Sequence, residues 1–295
     1  MSTTVGVVGL GIMGGAFARH LIDARIRTVG YDPLVACRNA FDAGGGFSRP
    51  SARAVALEAD IVITSLPDER ALEEALLSDA GIIASGRRGL LVIETSTLRL
   101  AAKEAARARL AQAGIGMLDA PISGTGPQVQ TKDIAIFASG DRADFDRASE
   151  TLTHFAKSVR YVGAFGAGSQ VKYIANLLVA VHTLAAAEAL VLGERAGLDP
   201  AELLDLLRGS AAGSRMLDVR GPLMAAGAFT PPMMKLDVFQ KDLYIIGEFV
   251  TQCQSPAPLF QAAAPFFRAA ATEGMGGHDS AAVIAVLRAT ASVAR

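Results

Sequence analysis

Gly163-Ala164-Phe165-Gly166-Ala167-Gly168-Ser169-Gln170-Val171-Lys172-Tyr173-Ile174-Ala175-Asn176 separates two kinds of pattern in the chain. Before it, short β-rich runs alternate with helical spacing. After it, the spacing is helical almost throughout. This order predicts an α/β region over residues 1–164 and an all-α region over 165–295, joined by a long helix. The glycines fit a turn leaving a sheet. Lys172 and Asn176 lie four apart, so they stack on one helix face. Alone, such a pair is a solvated face. The following Ile174, Leu177, Leu178, Val179, Val181 and Leu184 make the helix apolar nearly all round, which predicts burial. A lysine near the start of a buried helix, beside an amide and at a seam between domains, is a candidate general acid/base.

The first strand pattern is Thr4-Val5-Gly6-Val7-Val8, and Gly9-Leu10-Gly11-Ile12-Met13-Gly14 follows it. Ala16, Phe17, Ala18 and Leu21 then recur at helical spacing. A G-x-G-x-x-G run between a strand and a helix is a dinucleotide-binding pattern. Its glycines allow a tight turn, close approach to a pyrophosphate and close helix–strand packing. A bare glycine pattern is weak in a chain with 30 glycines. Its position after the first strand, with an acid downstream, strengthens it. The fold predicted for the first region is therefore a Rossmann-type doubly wound sheet.

That acid is Asp32, ending Thr28-Val29-Gly30-Tyr31. A carboxylate there binds the ribose hydroxyls of NAD and repels the 2′-phosphate of NADP. The same residue also reads as a turn Asp before Pro33, and Arg38 offers a partner for a phosphate. Residues 60–67 form a buried parallel strand ending in a turn. Residues 71–77 read as helix, and residues 90–94 as the next strand. Thr95-Ser96-Thr97 at its end offers hydroxyls to a nicotinamide or ribose, or N-caps to a helix over residues 98–113. Residues 116–127 run from a strand into a loop rich in Ser, Gly and Thr, whose free N–H groups suit a carboxylate. By itself that loop reads as a turn.

Composition narrows the function classes. The 295 residues suffice for two domains and carry a net charge of -1, which recommends neither nucleic acid nor an anionic membrane as partner. Cys37 and Cys253 make no disulfide framework or zinc spacing and fit a reducing cytoplasm. No uninterrupted apolar run reaches membrane-spanning length. The N-terminus enters a strand without a signal-peptide pattern. No cluster of His, Cys or acid residues suggests a metal.

Four motifs in order resemble the β-hydroxyacid dehydrogenases, the group of 3-hydroxyisobutyrate dehydrogenase and tartronate semialdehyde reductase. They are Gly9-Leu10-Gly11-Ile12-Met13-Gly14; Asp119-Ala120-Pro121-Ile122-Ser123-Gly124; Gly166-Ala167-Gly168 with Lys172 and Asn176; and Lys241-Asp242-Leu243. The resemblance spans essentially the whole chain. It implies that Gly9 to Gly14 cradle the pyrophosphate of NAD or NADP. Asp32, Leu66, Pro67, Ala71, Ser96, Thr97 and Lys241 complete the implied cofactor site, with Lys241 and Asp242 closing over it. Ser123 and Gly124 hold the substrate carboxylate, Lys172 is the catalytic acid/base, and Asn176 orients the substrate; Thr125, next to Gly124, falls in the same substrate site, where its side chain intrudes on the acid pocket or adds a hydrogen bond. The chain departs from the family pattern at Thr125, where a second glycine is usual, at Ala175 and His20, where asparagines are frequent, and at Glu94, often an aspartate. These departures bear on which acid is bound.

In the second region a helix from Ser169 stops near Gly197, and Asp199-Pro200 starts another. Arg215 and Arg220 read as loop arginines, placed either to pair an anionic substrate group or to pair exposed acids such as Asp218. Helices follow over residues 238–251, 259–271 and 281–291. The apolar long helix leaves surface for a partner subunit, and the resemblance implies a homodimer or homotetramer.

The expected chemistry is hydride transfer between NAD(P) and a small β-hydroxy acid or its semialdehyde. Lys172 must act as a neutral base, although a free lysine titrates at about 10.4. Two other readings compete. An imine reductase shares both regions but generally lacks this lysine and favours NADPH. A non-catalytic dinucleotide sensor would need the glycine loop alone.

Overall fold

The computed structural model describes residues 3–293. Contacts divide it into two compact units, Met1–Lys172 and Tyr173–Arg295. In the first, β1 (Val5–Val8), α1 (Ile12–Asp23), β2 (Thr28–Tyr31), α2 (Val35–Ala43), β3 (Phe47–Ser48), α3 (Ala52–Glu58), β4 (Ile61–Thr64), α4 (Glu69–Leu77), β5 (Leu91–Glu94), α5 (Leu100–Gln112) and β6 (Gly116–Asp119) alternate. The β-branched runs Val5-Gly6-Val7-Val8 and Ile61-Val62-Ile63-Thr64 are buried along their whole length. That is the signature of parallel strands covered on both faces. Phe17, Leu21, Ile63 and Ile93 pack on one face of the sheet. Val29, Val55, Val62 and Leu110 pack on the other.

The strands run β3-β2-β1-β4-β5-β6 and all neighbours are parallel. This is the doubly wound arrangement expected from the sequence. Val8 pairs with Tyr31 and Thr64, Thr64 with Glu94, and Glu94 with Asp119. The carboxyl ends of five strands therefore lie level along one edge. The order reverses between β1 and β4, and ligands bind at such a reversal, beyond the carboxyl ends.

A smaller sheet follows. β7 (Ile122–Ser123) pairs antiparallel with β8 (Ala135–Ala138), which pairs parallel with β9 (Ser158–Tyr161). Between them lie α6 (Gly126–Gln130) and α7 (Arg142–Thr153). The sequence predicts a strand running into a loop over residues 116–127. Thr125 and Gln128, spaced as a capping box, start a short helix there instead.

α8 (Ala167–Arg195) runs from the first unit into the second. α9 (Pro200–Leu207), α10 (Arg215–Ala226), α11 (Leu236–Gln252), α12 (Pro258–Ala270) and α13 (Val283–Val293) complete the helical unit. Asp199 caps α9 by accepting from Ala201 N and Glu202 N, as its position before Pro200 predicts. Tyr173, Ala180, Leu190, Phe239, Phe267 and Ile284 belong to the unit's core.

Two expectations are corrected here. α8 is not buried all round: Ile174, Leu178 and Leu192 are 55%, 47% and 72% exposed. A helix of 29 residues presents more apolar circumference than its unit's core covers. By length and composition α8 would cross a bilayer, the one such helix among the described residues, yet its inward residues are core. Arg215 and Arg220 sit on α10, not on a loop. Ser214 caps that helix by accepting from Leu217 N at 3.1 Å. Arg220 is 1% exposed, and its Nε donates to Ser280 Oγ at 2.7 Å rather than meeting Asp218. Burial pulls its pKa below the usual arginine range, against the pull of Asp279.

Candidate active site

The glycine loop has the shape a pyrophosphate requires. Gly9 has φ +89°, and a Cβ there would fall 2.1 Å from Ser65 O. A Cβ on Gly14 would fall 1.8 Å from Gly9 O, so α1 starts against the loop's own backbone. Gly11 has open space within 4 Å of its Cβ direction. It is also the N-cap of α1 and offers no capping side chain, leaving first-turn N–H groups for an anion. These residues fit a dinucleotide.

Asp32 is buried at the end of β2. Its Oδ2 accepts from Leu10 N and its Oδ1 from Leu34 N, both at 2.8 Å. The second bond is the turn the Asp-Pro pair predicts, and the first ties that turn to the glycine loop. A carboxylate has about four acceptor sites, so both oxygens retain capacity. Arg38 Nη1 donates to Asp32 O at 2.5 Å and to Pro33 O at 3.1 Å. The guanidinium is thus engaged by backbone carbonyls.

Leu66 and Ser96, both expected at the cofactor, are brought together. Leu66 N donates to Ser96 Oγ at 2.8 Å. Thr95 Oγ1 donates to Thr64 O at 2.7 Å. The alternative that these hydroxyls cap the next helix is wrong: α5 starts at Leu100 with Arg99 as N-cap and no side-chain cap. The hydroxyls instead join β5 to β4, whose carboxyl ends are adjacent. Thr97 is half-buried and Pro67 exposed. Ala71 lies in the first turn of α4, where its N–H donates to the capping Asp68 Oδ1 at 2.8 Å.

At the expected carboxylate anchor, Ser123 ends β7 and Gly124 has φ +151°. A Cβ on Gly124 would fall 2.4 Å from Ile134 Cγ2, so this position requires glycine. Thr125 N and Oγ1 both donate to Gln128 Oε1 at 3.0 Å. The hydroxyl that departs from the family pattern is therefore held to its own helix. His20 is buried on α1, and its Nε2 donates to Val129 O at 2.8 Å, tying α1 to α6.

Lys172 and Asn176 are 8% and 6% exposed, one turn apart on α8. In the helical unit, Asn176 Nδ2 donates to Asp242 Oδ2 at 2.8 Å. Lys241 Nζ lies 3.9 Å from Asp242 Oδ1.

The sequence reading missed a buried ionic cluster beneath the start of α8. Lys103 is fully buried. Its Nζ lies 2.6 Å from Glu94 Oε2, 2.8 Å from Asp119 Oδ1 and 2.6 Å from Ser96 O. Ser169 N and Oγ donate to Asp119 Oδ2 and Oδ1, each at 2.8 Å. Ser139 Oγ donates to Asp119 Oδ2 at 3.2 Å and accepts from Gly168 N at 2.9 Å. Burial pulls the Lys103 pKa down, but Asp119 and then Glu94 more than offset it and hold it above the usual lysine range. The legible signal was positional: Lys103, Ala106 and Leu110 are the buried residues of α5, at i, i+3 and i+7.

Residues 4–163 match the NAD binding domain of 6-phosphogluconate dehydrogenase. Residues 166–287 match the NAD-binding region of NADP-dependent 3-hydroxyisobutyrate dehydrogenase. An L-threonate dehydrogenase of Cupriavidus necator is 36% identical over 287 residues, 97% of this chain and 96% of its own. The crystal structure of a 3-hydroxyisobutyrate dehydrogenase from Salmonella typhimurium is 32% identical, with a TM-score of 0.87 over 96% of this chain and 99% of that one. An imine reductase from Myxococcus stipitatus is 17% identical, with a TM-score of 0.67 over 97% of this chain and 100% of that one, a likeness of fold alone. The chain belongs to the β-hydroxyacid dehydrogenase family. It is an oxidoreductase that uses NAD or NADP and acts on the CH–OH group of small hydroxy acids.

Proposed function

We propose that Lys172 is the general acid/base of this dehydrogenase, that Asn176 orients the substrate, and that Ser123 and Gly124 anchor its carboxylate, with Thr125 lining the pocket beside them. The observation that carries this reading is the burial of Lys172 and Asn176 on one turn of α8. A buried lysine beside an amide needs a use, and proton transfer is the use this chemistry supplies. In the oxidative direction Lys172 Nζ takes the hydroxyl proton while the C–H bond gives up a hydride and a C=O bond forms. In reduction the same ammonium returns the proton. When bound, the nicotinamide dinucleotide supplies the hydride acceptor or donor. The chain holds the reacting carbon in place and moves the proton.

Gly9 to Gly14, Leu66, Pro67, Ala71, Ser96, Thr97 and Lys241 make up the cofactor site in this reading. Asp32 favours NAD, because its carboxylate sits at the end of β2 where a 2′-phosphate would be repelled. Candidate substrates are 3-hydroxyisobutyrate, glycerate, 4-hydroxybutyrate and, from the Cupriavidus relative's name, threonate. The working form is a cytoplasmic homodimer or homotetramer, with the domain boundary at residues 164 and 165.

The test is reduced-nicotinamide absorbance on mixing the protein with NAD or NADP and a panel of these acids, beside Lys172→Ala. Turnover with one acid, lost in the variant while cofactor still binds, is the expected result. Undiminished turnover by Lys172→Ala removes Lys172 from the mechanism.

A further inference from the structure

The proton-transfer reading makes no use of Lys103, yet Lys103 is among the largest side chains that are fully buried. The bland account of a buried lysine between two carboxylates is a structural ion pair. Stability alone is a poor reason for one: well-packed apolar residues in place of a buried ion pair are often neutral or stabilising. The connections of this cluster suggest what else it does.

Lys103 with Glu94 and Asp119 leaves one net negative charge out of water. That charge lies beneath the N-terminus of α8, where the helix dipole and free N–H groups favour an anion. Ser169 N and Oγ spend both their protons on Asp119. Gly168 N is fixed on Ser139 Oγ, and a Cβ on Gly168 would fall 2.2 Å from Phe137 O. The first turn of α8 is therefore seated on the backbone of β8 with no slack. Lys172 follows Ser169 by three residues, on the same side of the helix. On its other side, Lys103 Nζ holds Ser96 O, and Ser96 Oγ holds Leu66 N. One buried chain of bonds thus runs from the loop after β4 to the turn that carries Lys172. Lys103 is the cation at its centre: its ammonium donates to Ser96 O in the loop after β5, to Asp119 Oδ1 on β6 and to Ser169 Oγ on α8 at 3.2 Å, with Glu94 Oε2 as an ion-pair contact.

We propose that Lys103 is a positioning residue for proton transfer: through Glu94, Asp119 and Ser169 it fixes the first turn of α8, and with it Lys172. This rests on the reading of Lys172 as the acid/base. Displacing a reacting group by about 1 Å can cost about a hundredfold in rate, so a buried clamp has catalytic leverage that its own stability contribution need not reveal.

The test uses two variants of the full chain. Glu94→Gln/Lys103→Met removes the ion pair but keeps the cluster's net charge, so Asp119 is not left beside a second bare carboxylate. Ser169→Ala keeps every charge and removes the hydroxyl that donates to Asp119 and accepts from Lys103. Steady-state kcat, the dissociation constant for NAD, and amide exchange across residues 167–172 are measured well below the melting temperature, beside wild type and Lys172→Ala. Expected is a kcat lower by at least tenfold in the double variant and by three- to tenfold in Ser169→Ala. NAD affinity should stay within threefold, the isotope effect on kcat with C-deuterated substrate should rise, and exchange in the first turn of α8 should quicken. Either folded variant keeping wild-type kcat and exchange overturns the proposal. So does a tenfold loss of NAD affinity at unchanged kcat, which would assign the cluster to the cofactor loop. Lys172→Ala separates the two ideas. If it is dead while these variants are fully active, positioning alone fails; if it is active, the acid/base reading fails and the proposal with it.

Discussion

Asn176 Nδ2 donates to Asp242 Oδ2 at 2.8 Å, joining α8 to α11 within the helical unit. Both side chains are buried, at 6% and 7% exposure. The two residues are 66 positions apart, and each belongs to a motif that the sequence reading assigned separately to substrate and cofactor. Asn176 is therefore held in one rotamer by a carboxylate.

Asn176→Ala removes a donor from a buried carboxylate. The expected cost is about 1–3 kcal/mol of stability, visible as a lower denaturation midpoint. Because Asn176 also orients the substrate in the proposed reading, kcat/KM for the acid should fall by about tenfold or more. Asp242→Asn keeps an acceptor oxygen for Asn176 and should cost less on both counts. Equal losses from the two variants would show that the carboxylate's charge, not the bond, matters.

Asp32 serves two structural bonds, to Leu10 N and Leu34 N, besides its proposed contact with a ribose. Asp32→Asn is the informative change, since the amide retains one acceptor while losing the charge. The ratio of kcat/KM for NADP over NAD should rise by about tenfold, as the repulsion of a 2′-phosphate disappears. Measuring both cofactors with one acid checks it. An unchanged ratio would leave Asp32 with its structural role only.

What could be read from the sequence was local. The glycine loop, the Asp-Pro turn and the Asp199 cap each depend on residues within a few positions of one another. What escaped depends on distant partners. Thr95 serves the last residue of β4 and Ser96 the loop just after it, about 30 positions earlier, so their cap-like spacing misled. Arg220 is buried by Ser280 and Asp279, some 60 residues on, and looked exposed beside Asp218. The Lys103 cluster draws on β5, α5, β6, β8 and α8, and only the helical face shared with Ala106 and Leu110 hinted at it. α8 shows the converse: a uniformly apolar pattern does not say which side the core covers.

Glu58 gives a pH-dependent stability with a definite sign. The Arg49 hydrogen bond, against partial desolvation and aided by Arg27, lowers its pKa from 4.5 to about 2. A carboxyl whose folded pKa is depressed contributes stability above its unfolded pKa and loses it as pH falls through the folded one. The window therefore runs from about pH 4.5 down to about 2. The side chain is 36% exposed, so solvent screening limits the effect to about 1 kcal/mol or less. Glu58→Gln should melt slightly below wild type at pH 7, and the gap should close between pH 4.5 and 2. A gap that stays constant over that range would assign the difference to packing.

Gly11 and Gly14 separate cofactor space from fold space. A Cβ on Gly14 meets Gly9 O at 1.8 Å, where neither backbone can yield cheaply. Gly14→Ala should therefore lower both the melting temperature and dinucleotide affinity. A Cβ on Gly11 meets nothing within 4 Å, and its φ of -67° suits any residue. Gly11→Ala should leave the melting temperature of the free protein within about a degree of wild type, since a surface change of this kind stays within about 0.5 kcal/mol. Its affinity for NAD should nevertheless fall by tenfold or more, because the added methyl occupies the space in which the backbone approaches a pyrophosphate. Thermal melting with and without NAD, on both variants, reads the two effects apart. Full NAD stabilisation of Gly11→Ala would place the dinucleotide away from this loop.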